Sequence, residues 1–315
     1  MKNVTIVGTG FIGRAWAITY ARAGCPVTIW DTEKAACERA ISFVAGVLPD
    51  LEANDLLNGR SPDQLLVDIR IEENLERALS QADYVQENAP ERVEVKKALF
   101  AKMDVATPEH AILASSTSAI LPSAFTEDLD GRHRCLVAHP INPPYLVPAT
   151  EVVPAPWTSP ETVTGCRDFL SACGQAPLVM KRELDGFIMN RMQGALLEEA
   201  FRLVADGYAS VEDVDIGIRD GLALRWSFMG PFETIDLNAP AGVRDYAQRY
   251  QGIYSNIFQQ TQHRVDWTGP VMDLVERERR SRLPKDGLEK RQVWRDKRLM
   301  ALVAHKRRAS GQIGG

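Results

Sequence analysis

A histidine and a glutamate form the candidate acid–base pair of this sequence. His139 follows the apolar run 135–138, which predicts a buried strand with the histidine at its carboxyl end, where the chemistry of parallel α/β sheets is located. Prolines at 140, 143, 144 and 148 exclude a helix between His139 and Glu151 and stiffen that segment, so the chain can return and place the carboxylate beside the imidazole. The carboxylate would fix the tautomer, stabilise the imidazolium and leave the other ring nitrogen as a base near neutral pH. On spacing alone, a strand-capping histidine and an exposed loop glutamate fit equally well.

A glycine-rich turn near the start of the chain indicates a nucleotide site. The β-branched run 4–7 predicts a strand, and a helix is expected over 15–23. Between them lie three glycines and two apolar residues: Gly8, Gly10, Phe11, Ile12 and Gly13. In this pattern the first glycine permits a tight turn, the second lets backbone amides approach a pyrophosphate, and the third allows the helix to pack closely on the sheet. The helix amino terminus adds positive potential for the phosphates.

An acidic residue completes this pattern. A second strand is expected over 27–30, and Asp31 follows it directly. Asp31 would accept hydrogen bonds from the adenosine ribose and repel a 2′-phosphate, which favours NAD over NADP. A lone GxGxxG is also compatible with an ordinary glycine turn, but the order strand, glycine loop, helix, strand and acid predicts a dinucleotide site.

The periodicity of the chain changes near its middle. Further short strands are expected at 82–87, 111–115, 152–153 and 178–180, whereas 34–80 is rich in helical patterns. Beyond residue 180 only long helical periods follow. The sequence therefore predicts an α/β Rossmann-type dinucleotide-binding domain over 1–183, followed by an all-α helical domain over 184–315.

Within the second half, one predicted helix carries an apolar face and ends at Gly207. That face consists of Ile188, Met192, Leu196, Ala200 and Leu203. Residues 221–226 are expected as a loop and 229–233 as a helix start, and three further helical patterns run to about residue 309. The basic terminal helix is interpreted as a solvated face rather than a nucleic-acid surface, because acidic residues interleave it and aromatic residues are almost absent.

Composition limits the classes of protein that fit. A chain of 315 residues suits two domains, and its net charge of −5 offers no global attraction to nucleic acid or acidic membranes. The five cysteines are scattered, without CxxC or Cys/His metal spacing, which indicates reduced thiols in a cytoplasmic protein and no metal site. A charged-then-apolar leader is missing, and no apolar run reaches the length that spans a bilayer.

With both halves in view, the chain resembles the 3-hydroxyacyl-CoA dehydrogenase superfamily, and within it the lambda-crystallin / L-gulonate 3-dehydrogenase branch. The superfamily resemblance is carried by Gly8, Gly10, Gly13, Asp31, Ser118, the His139–Glu151 pair and residues 186–191. The resemblance to the branch is carried by residues 139–145, 151–154 and 221–238.

The resemblance implies a reaction and a set of catalytic residues. His139 would be the general base that removes the proton of a 3-hydroxyl while hydride passes to NAD⁺, and Glu151 would orient the histidine. Ser118 and Asn190 would hydrogen-bond the reacting oxygen, or hold the water and the histidine around it.

The resemblance also implies cofactor contacts and an oligomeric state. Glu91 and Lys96 match positions that contact the cofactor in the family, and Ser116 is expected to face the same cleft. A homodimer built through the helical domain is implied as well.

Arg225 indicates the class of substrate. A guanidinium can bind the carboxylate of a small 3-hydroxy acid with two hydrogen bonds, whereas the thioester group of an acyl-CoA carries no charge. L-gulonate is therefore the first choice. Arg225 could also be an ordinary surface cation. Two other substrates stay open: 3-hydroxybutyryl-CoA, and carnitine, whose quaternary ammonium would need an aromatic wall. A non-catalytic, crystallin-like protein that binds NAD is the remaining alternative.

Overall fold

The structure, a computed structural model, describes residues 1–314 and divides the chain into two compact units. The first unit contains Met1–Ile188 together with Asp296–His305, and the second contains Met189–Arg295 and the residues from 306 onward. The sequence analysis expected two contiguous domains instead. The difference arises because one stretch of the last helix belongs to the core of the first unit.

The first unit is built on one eight-stranded sheet. Its strands are β1 (Val4–Val7), β2 (Val27–Trp30), β3 (Ile69–Ile71), β4 (Tyr84–Glu87), β5 (Ile112–Ser115), β6 (Cys135–Pro140), β7 (Ala149–Pro154) and β8 (Ala176–Val179). They lie in the order β3-β2-β1-β4-β5-β6-β7-β8. Strands β1 to β6 are parallel, β7 is antiparallel to β6, and β8 is parallel to β7.

Both faces of this sheet are buried. Successive residues of a strand point to opposite faces, and Ile6 and Leu136 belong to one buried apolar cluster whereas Val7 and Val137 belong to another. The helices of the unit are α1 (Phe11–Arg22), α2 (Lys34–Ala53), α3 (Pro62–Val67), α4 (Leu75–Leu79), α5 (Val93–Ala106), α6 (Ser123–Thr126) and α7 (Pro160–Ala172). This layered arrangement confirms the predicted Rossmann-type α/β domain.

Two local expectations in this unit were wrong. Helix α1 begins at Phe11 rather than at residue 15, so the last glycine of the fingerprint already lies in its first turn. Strand β3 lies inside 34–80, which was expected to be helical. Its Ile-Arg-Ile sequence is only three residues long, too short for the alternation of a strand to be distinguished from a helical period.

The second unit is helical. Its helices are α8 (Met189–Ala205), α9 (Val211–Ile216), α10 (Ala223–Trp226), α11 (Pro231–Leu237), α12 (Val243–Gln260), α13 (Pro270–Arg282) and α14 (Leu288–Ile313). Residues 221–226, expected as a loop, are helical. A π-helical turn over Gly217–Leu222 leads directly into α10. Part of the apolar face expected on α8 is solvent-exposed, with Met192 57% and Leu196 43% exposed, whereas Ala200 and Leu203 are partly buried.

Helix α14 contributes to the first unit through its central turns. Met300 and Ala304 are buried and belong to the same apolar cluster as Trp16, at the four-residue spacing of one helical face. An ion pair between Lys297 and Asp50, 3.5 Å apart, ties this stretch to α2. In the described part of the chain, no helix combines the length and apolar character that a membrane crossing requires.

Candidate active site

The glycine loop between β1 and α1 has the geometry that its residue types predict. Gly8 has a φ of +90°, and a Cβ there would lie 2.9 Å from the carbonyl carbon of Asn88. A Cβ on Gly13 would overlap the carbonyl oxygen of Gly8. Around Gly10, by contrast, no atom of the described chain lies within 4 Å of the Cβ position, so the approach to the start of α1 is open.

Asp31 organises the end of β2. Its Oδ2 accepts hydrogen bonds from the backbone amide and the hydroxyl of Thr9, at 2.7 and 3.0 Å, and its Oδ1 accepts a longer one from the amide of Glu33. Oδ1 also accepts a hydrogen bond from the Thr32 hydroxyl at 3.3 Å, so a ribose hydroxyl would replace one of these two long, exposed hydrogen bonds. Asp31 therefore ties the glycine loop to the end of β2.

An open cleft of about 1710 Å³ passes over the carboxyl ends of β1, β2 and β4. It is lined by the glycine loop, by Trp30 and Asp31 and by the segment 88–90, and it extends along residues 74–80 and 94–106 of α4, α5 and their flanks. The open helix amino terminus and the carboxylate at the end of the second strand both fit NAD. In the described residues, no cluster of three His, Cys, Asp or Glu side chains could hold a metal ion.

The His139–Glu151 pair is formed by two adjacent strands. His139 of β6 stands directly opposite Glu151 of β7 in the antiparallel register, and the histidine Nδ1 lies 2.7 Å from Glu151 Oε2. Glu151 is fully buried, and its other oxygen accepts the backbone amide of Ile188 at 2.6 Å. In the neutral histidine, Nδ1–H donates to the carboxylate, which leaves Nε2 as the nitrogen that can take a proton.

An aromatic ring covers one side of this pair. Phe187 is fully buried, and its ring centre lies 5.7 Å from that of His139. Its φ of +49° is uncommon for a residue that is not glycine. The backbone conformation at 186–188 thus presents both the Phe187 ring and the Ile188 amide to the His139–Glu151 pair.

Ser116 lies at the cleft, but its hydroxyl is saturated by protein partners. Its Oγ accepts hydrogen bonds from Trp16 Nε1 at 3.0 Å and Gln86 Nε2 at 2.7 Å, and it donates to Asn88 Oδ1 at 2.8 Å. A hydroxyl offers one donor and two acceptor sites. A bond between this hydroxyl and a cofactor would therefore have to replace one of these three.

Glu91 holds the loop that carries Ser118. Its Oε1 accepts hydrogen bonds from Thr117 Oγ1 at 2.5 Å and from the backbone amides of Ser118 and Ala119 at 2.9 and 3.1 Å. Burial raises the pKa of Glu91, but the Thr117 hydrogen bond and the charge of Lys96 outweigh it and hold that pKa below its ordinary value. Lys96 itself is enclosed, at 1% exposure.

The two remaining predicted site residues belong to the second unit. Asn190 is in the first turn of α8, only three residues after Phe187, and it is half-buried. Arg225 is exposed on α10.

Sequence reasoning missed the buried polar residues beneath the cleft. Glu87 and Gln86 end β4 and are fully buried, and each binds residues that the sequence had singled out. The signal was the polar end of a strand otherwise expected to be buried, because a glutamine and a glutamate need internal partners there.

Family comparison matches both halves of the chain. The NAD-binding domain of 3-hydroxyacyl-CoA dehydrogenase matches residues 3–183, and the C-terminal domain of the same enzyme family matches residues 186–268.

Similar proteins cover most of the chain. Lambda-crystallin of Oryctolagus cuniculus is 35% identical over 98% of this chain and 98% of its own. L-carnitine dehydrogenase of Streptomyces griseus is 40% identical over 77% of this chain and 71% of its own. The solved structure of 5-formyl-3-hydroxy-2-methylpyridine 4-carboxylic acid 5-dehydrogenase, an NAD⁺-dependent dismutase, superposes with a TM-score of 0.82 at 28% identity, covering 99% of both chains. The chain is therefore a member of the 3-hydroxyacyl-CoA dehydrogenase family, an NAD-dependent dehydrogenase that acts on a CH–OH group.

Proposed function

We propose that the protein oxidises the 3-hydroxyl of a small 3-hydroxy acid with NAD⁺, and that L-gulonate, converted to 3-dehydro-L-gulonate, is the first candidate. The observation that carries this proposal is the His139–Glu151 pair, a buried carboxylate 2.7 Å from one ring nitrogen of a histidine at the end of a sheet strand. The arrangement supports a general base that acts on an alcohol.

His139 Nε2 takes the hydroxyl proton as the C–H bond breaks. NAD⁺, when bound, accepts the hydride. Glu151 is held by the Ile188 amide and stabilises the imidazolium as it forms, and the Phe187 ring keeps water from one side of the pair. Proton transfer by such a base contributes roughly 10² to 10⁴ in rate.

Arg225 supports a substrate that carries a carboxylate. It is an exposed cation on α10, and a guanidinium binds carboxylates with two parallel hydrogen bonds. One of the similar proteins is named for L-carnitine and another for a pyridine carboxylic acid, whereas the matched family is named for a thioester. The choice of an acid substrate therefore rests on Arg225.

Carnitine is a second candidate, favoured by the aromatic residues near Arg225. A hydrogen bond with Tyr254 raises the pKa of the Tyr246 phenol, and Arg225 is close enough for its charge to offset part of this. The Tyr246 and Tyr250 rings lie 4.5 Å apart. A guanidinium for the carboxylate and tyrosine faces for a quaternary ammonium would together suit carnitine.

The experiment records NADH formation by the purified protein with L-gulonate, L-carnitine, 3-hydroxybutyrate and 3-hydroxybutyryl-CoA. Turnover of gulonate alone supports the first candidate, and turnover of carnitine alone supports the second. Turnover confined to the thioester would contradict the carboxylate argument. NAD binding without turnover of any of the four would favour a non-catalytic crystallin-like role.

Arg225→Gln tests the carboxylate contact directly. We expect it to raise the KM of the acid substrate by roughly tenfold or more, because a charge-assisted hydrogen bond is worth about 1.5–3 kcal/mol, and to leave the KM of NAD unchanged. Arg219→Gln is the matched control, because Arg219 is also an exposed arginine of this segment but pairs with Asp220 at 2.7 Å. Equal effects of the two variants would contradict a specific role for Arg225.

We also propose that the protein is a cytoplasmic homodimer assembled through the second unit. The exposed apolar side chains of α8 and those of α12, which include Ile253, Tyr254 and Phe258, are candidates for that interface. All five cysteines are free and buried, which fits a reducing compartment. Light scattering after gel filtration tests the oligomeric state, and a monomer at micromolar concentration would contradict the proposal.

A further inference from the structure

Two cysteine thiols meet in the first unit, outside the site described above. Cys25 lies two residues before β2, and Cys173 is the residue that caps α7. Their side chains are hydrogen-bonded to each other, and each residue is only 3% exposed. The structure therefore brings together two nucleophilic groups from distant parts of the chain, and neither of them takes part in the chemistry at His139.

The ends of two helices hold the backbones of both cysteines. Gly24, with a φ of +81°, follows the end of α1, and the amide of Cys25 donates to a carbonyl oxygen of that helix at 3.0 Å. The amide of Cys173 donates to a carbonyl oxygen of α7 at 3.0 Å, and Gly174 follows with a φ of +80°. Glycines at positive φ end helices in a defined turn. The contact between the two thiols thus rests on two fixed backbones rather than on a loose loop.

Both cysteines line a cavity of about 420 Å³. Lys2, Asp83 and His110 line it as well, and these residues precede β1, β4 and β5. The cavity therefore lies at the amino ends of parallel strands, whereas the cofactor cleft lies over the carboxyl ends. His110 is exposed, so the cavity opens to solvent and a small solute can reach the thiols.

The two thiols are not equivalent. The hydrogen bond donated by the Cys173 thiol holds the pKa of Cys25 below its ordinary value, although burial opposes this effect. The same hydrogen bond, together with burial, raises the pKa of Cys173 well above its ordinary value. Cys25 is therefore the thiol that ionises first, and the thiolate is the nucleophilic form of cysteine. Cys173 stays protonated beside it, in position to react second.

We propose that Cys25 and Cys173 form a redox-active dithiol that a hydroperoxide oxidises to an internal disulfide. In the first step the Cys25 thiolate attacks one oxygen of the hydroperoxide, so that an S–O bond forms and the O–O bond breaks. The released oxygen takes up the proton that Cys25 had lost to solvent and leaves as water or an alcohol.

In the second step the sulfur of Cys173 attacks the oxidised sulfur of Cys25. The S–S bond forms, the S–O bond breaks, and the departing hydroxide takes the proton of Cys173 and leaves as water. The two thiols together lose two electrons, and the hydroperoxide accepts both. A thiol reductant reverses the reaction by exchange.

The compartment and the ligand set both favour this reading over a metal site. Disulfides in reducing compartments are usually transient and sense redox conditions. Among the residues that the structure describes, no group of three His, Cys, Asp or Glu side chains could hold a metal ion. The inference goes beyond the proposed oxidation of a hydroxy acid and does not rest on it, because neither cysteine lines the cofactor cleft.

The experiment treats the folded protein with hydrogen peroxide, alkylates the remaining thiols and maps crosslinked peptides by mass spectrometry. We expect a disulfide between Cys25 and Cys173, loss of two of the five free thiols, and full recovery of both with dithiothreitol. This map needs no variant, so it does not depend on whether a substitution is tolerated. Unchanged thiols, or disulfides scattered over the other cysteines, would overturn the proposal.

Serine variants separate the two steps. In Cys173→Ser the second thiol is missing, so oxidation should stop at a sulfenic acid on Cys25, which dimedone traps. Cys25→Ser should lower the rate of peroxide consumption by roughly tenfold or more, because it removes the ionised thiol. An unchanged Kd for NAD shows that each variant is folded. Wild-type peroxide consumption by Cys25→Ser, or dimedone labelling of other cysteines in Cys173→Ser, would contradict the assigned roles.

Cys135→Ser is the matched control. Cys135 is also buried, but its thiol donates to the carbonyl oxygen of Gly131 at 3.6 Å, a hydrogen bond that serine can keep. This variant should consume peroxide at the wild-type rate and form the same disulfide. A loss of rate equal to that of Cys25→Ser would show that buried thiols react without regard to their pairing, and would overturn the proposal.

Discussion

At the scale of single residues, the proposed function assigns proton transfer to His139 and the stabilisation of its charge to Glu151. The strand register sets their separation, so neither side chain depends on a flexible loop for its position. His139→Ala should lower kcat by roughly 10² to 10⁴, because it removes proton transfer and leaves the dinucleotide cleft intact. The measurement is steady-state turnover alongside the Kd for NAD. Near-normal turnover would exclude His139 as the base.

Glu151→Gln refines this prediction. The amide keeps an acceptor for the Ile188 backbone but carries no charge, so we expect kcat to fall while NAD affinity is retained. Glu183→Gln is the matched control, because the Glu183 carboxylate also accepts one backbone amide, that of Ser123 at 3.1 Å. Equal losses of kcat in the two variants would point to folding rather than to the charge beside the histidine.

We predict that Asp31 sets the preference for NAD over NADP. Asp31→Ala should narrow the preference for NAD over NADP by roughly tenfold or more in kcat/KM, since a repelling charge and a ribose acceptor are both lost. The measurement is the ratio of kcat/KM for NAD to kcat/KM for NADP. Loss of the Thr9 hydrogen bonds also loosens the glycine loop, and this affects the binding of both cofactors. Glu33→Ala removes an exposed acid two residues away and should leave the ratio unchanged. An unchanged ratio in Asp31→Ala would refute this role.

At the scale of elements, the sequence could predict what is local. The β1–α1 turn was predictable because its glycines, the flanking strands and the acidic residue all lie within the first 31 residues in a fixed order. The approach of His139 to Glu151 was predictable because the prolines between them exclude a helix. The burial of Lys96 was not predictable, since a lysine on a helix is ordinarily solvated and its carboxylate partner lies on another element. Strand β3 was not predicted because its three residues are too few to show a strand periodicity.

The loop over Thr117–Ala119 should respond to acid through Glu91. The pKa of Glu91 lies below its ordinary value of 4.5, so its carboxylate stabilises the fold fully above about pH 4.5, and this contribution is lost as the pH falls through the lower, folded-state value. The difference in melting temperature between the wild type and Glu91→Gln should therefore shrink as the pH is lowered from 6 towards 3. A difference that stays constant over this range would contradict the assignment.

At the scale of the whole molecule, the two units are not successive segments of the chain. Helix α14 starts in the second unit, supplies Asp296–His305 to the first and ends in the second again. Sequence periodicity identifies the buried face of a late helix but not the core that this face packs against. Met300 and Ala304 would fit any apolar surface. The core of the first unit therefore depends on residues near the carboxyl end.

This dependence predicts an asymmetric effect of two substitutions in one helix. Met300 is 3% exposed and lies in the core cluster of the first unit, whereas Leu302 is 43% exposed on the same helix. Met300→Ala should destabilise the protein by about 2–5 kcal/mol through lost burial and a cavity, and Leu302→Ala by well under that. Hydrogen exchange locates the effect: Met300→Ala should speed exchange in peptides of β1 and α1, although these lie almost 300 residues earlier in the chain. Faster exchange confined to α8–α13 would show that α14 supports only the second unit.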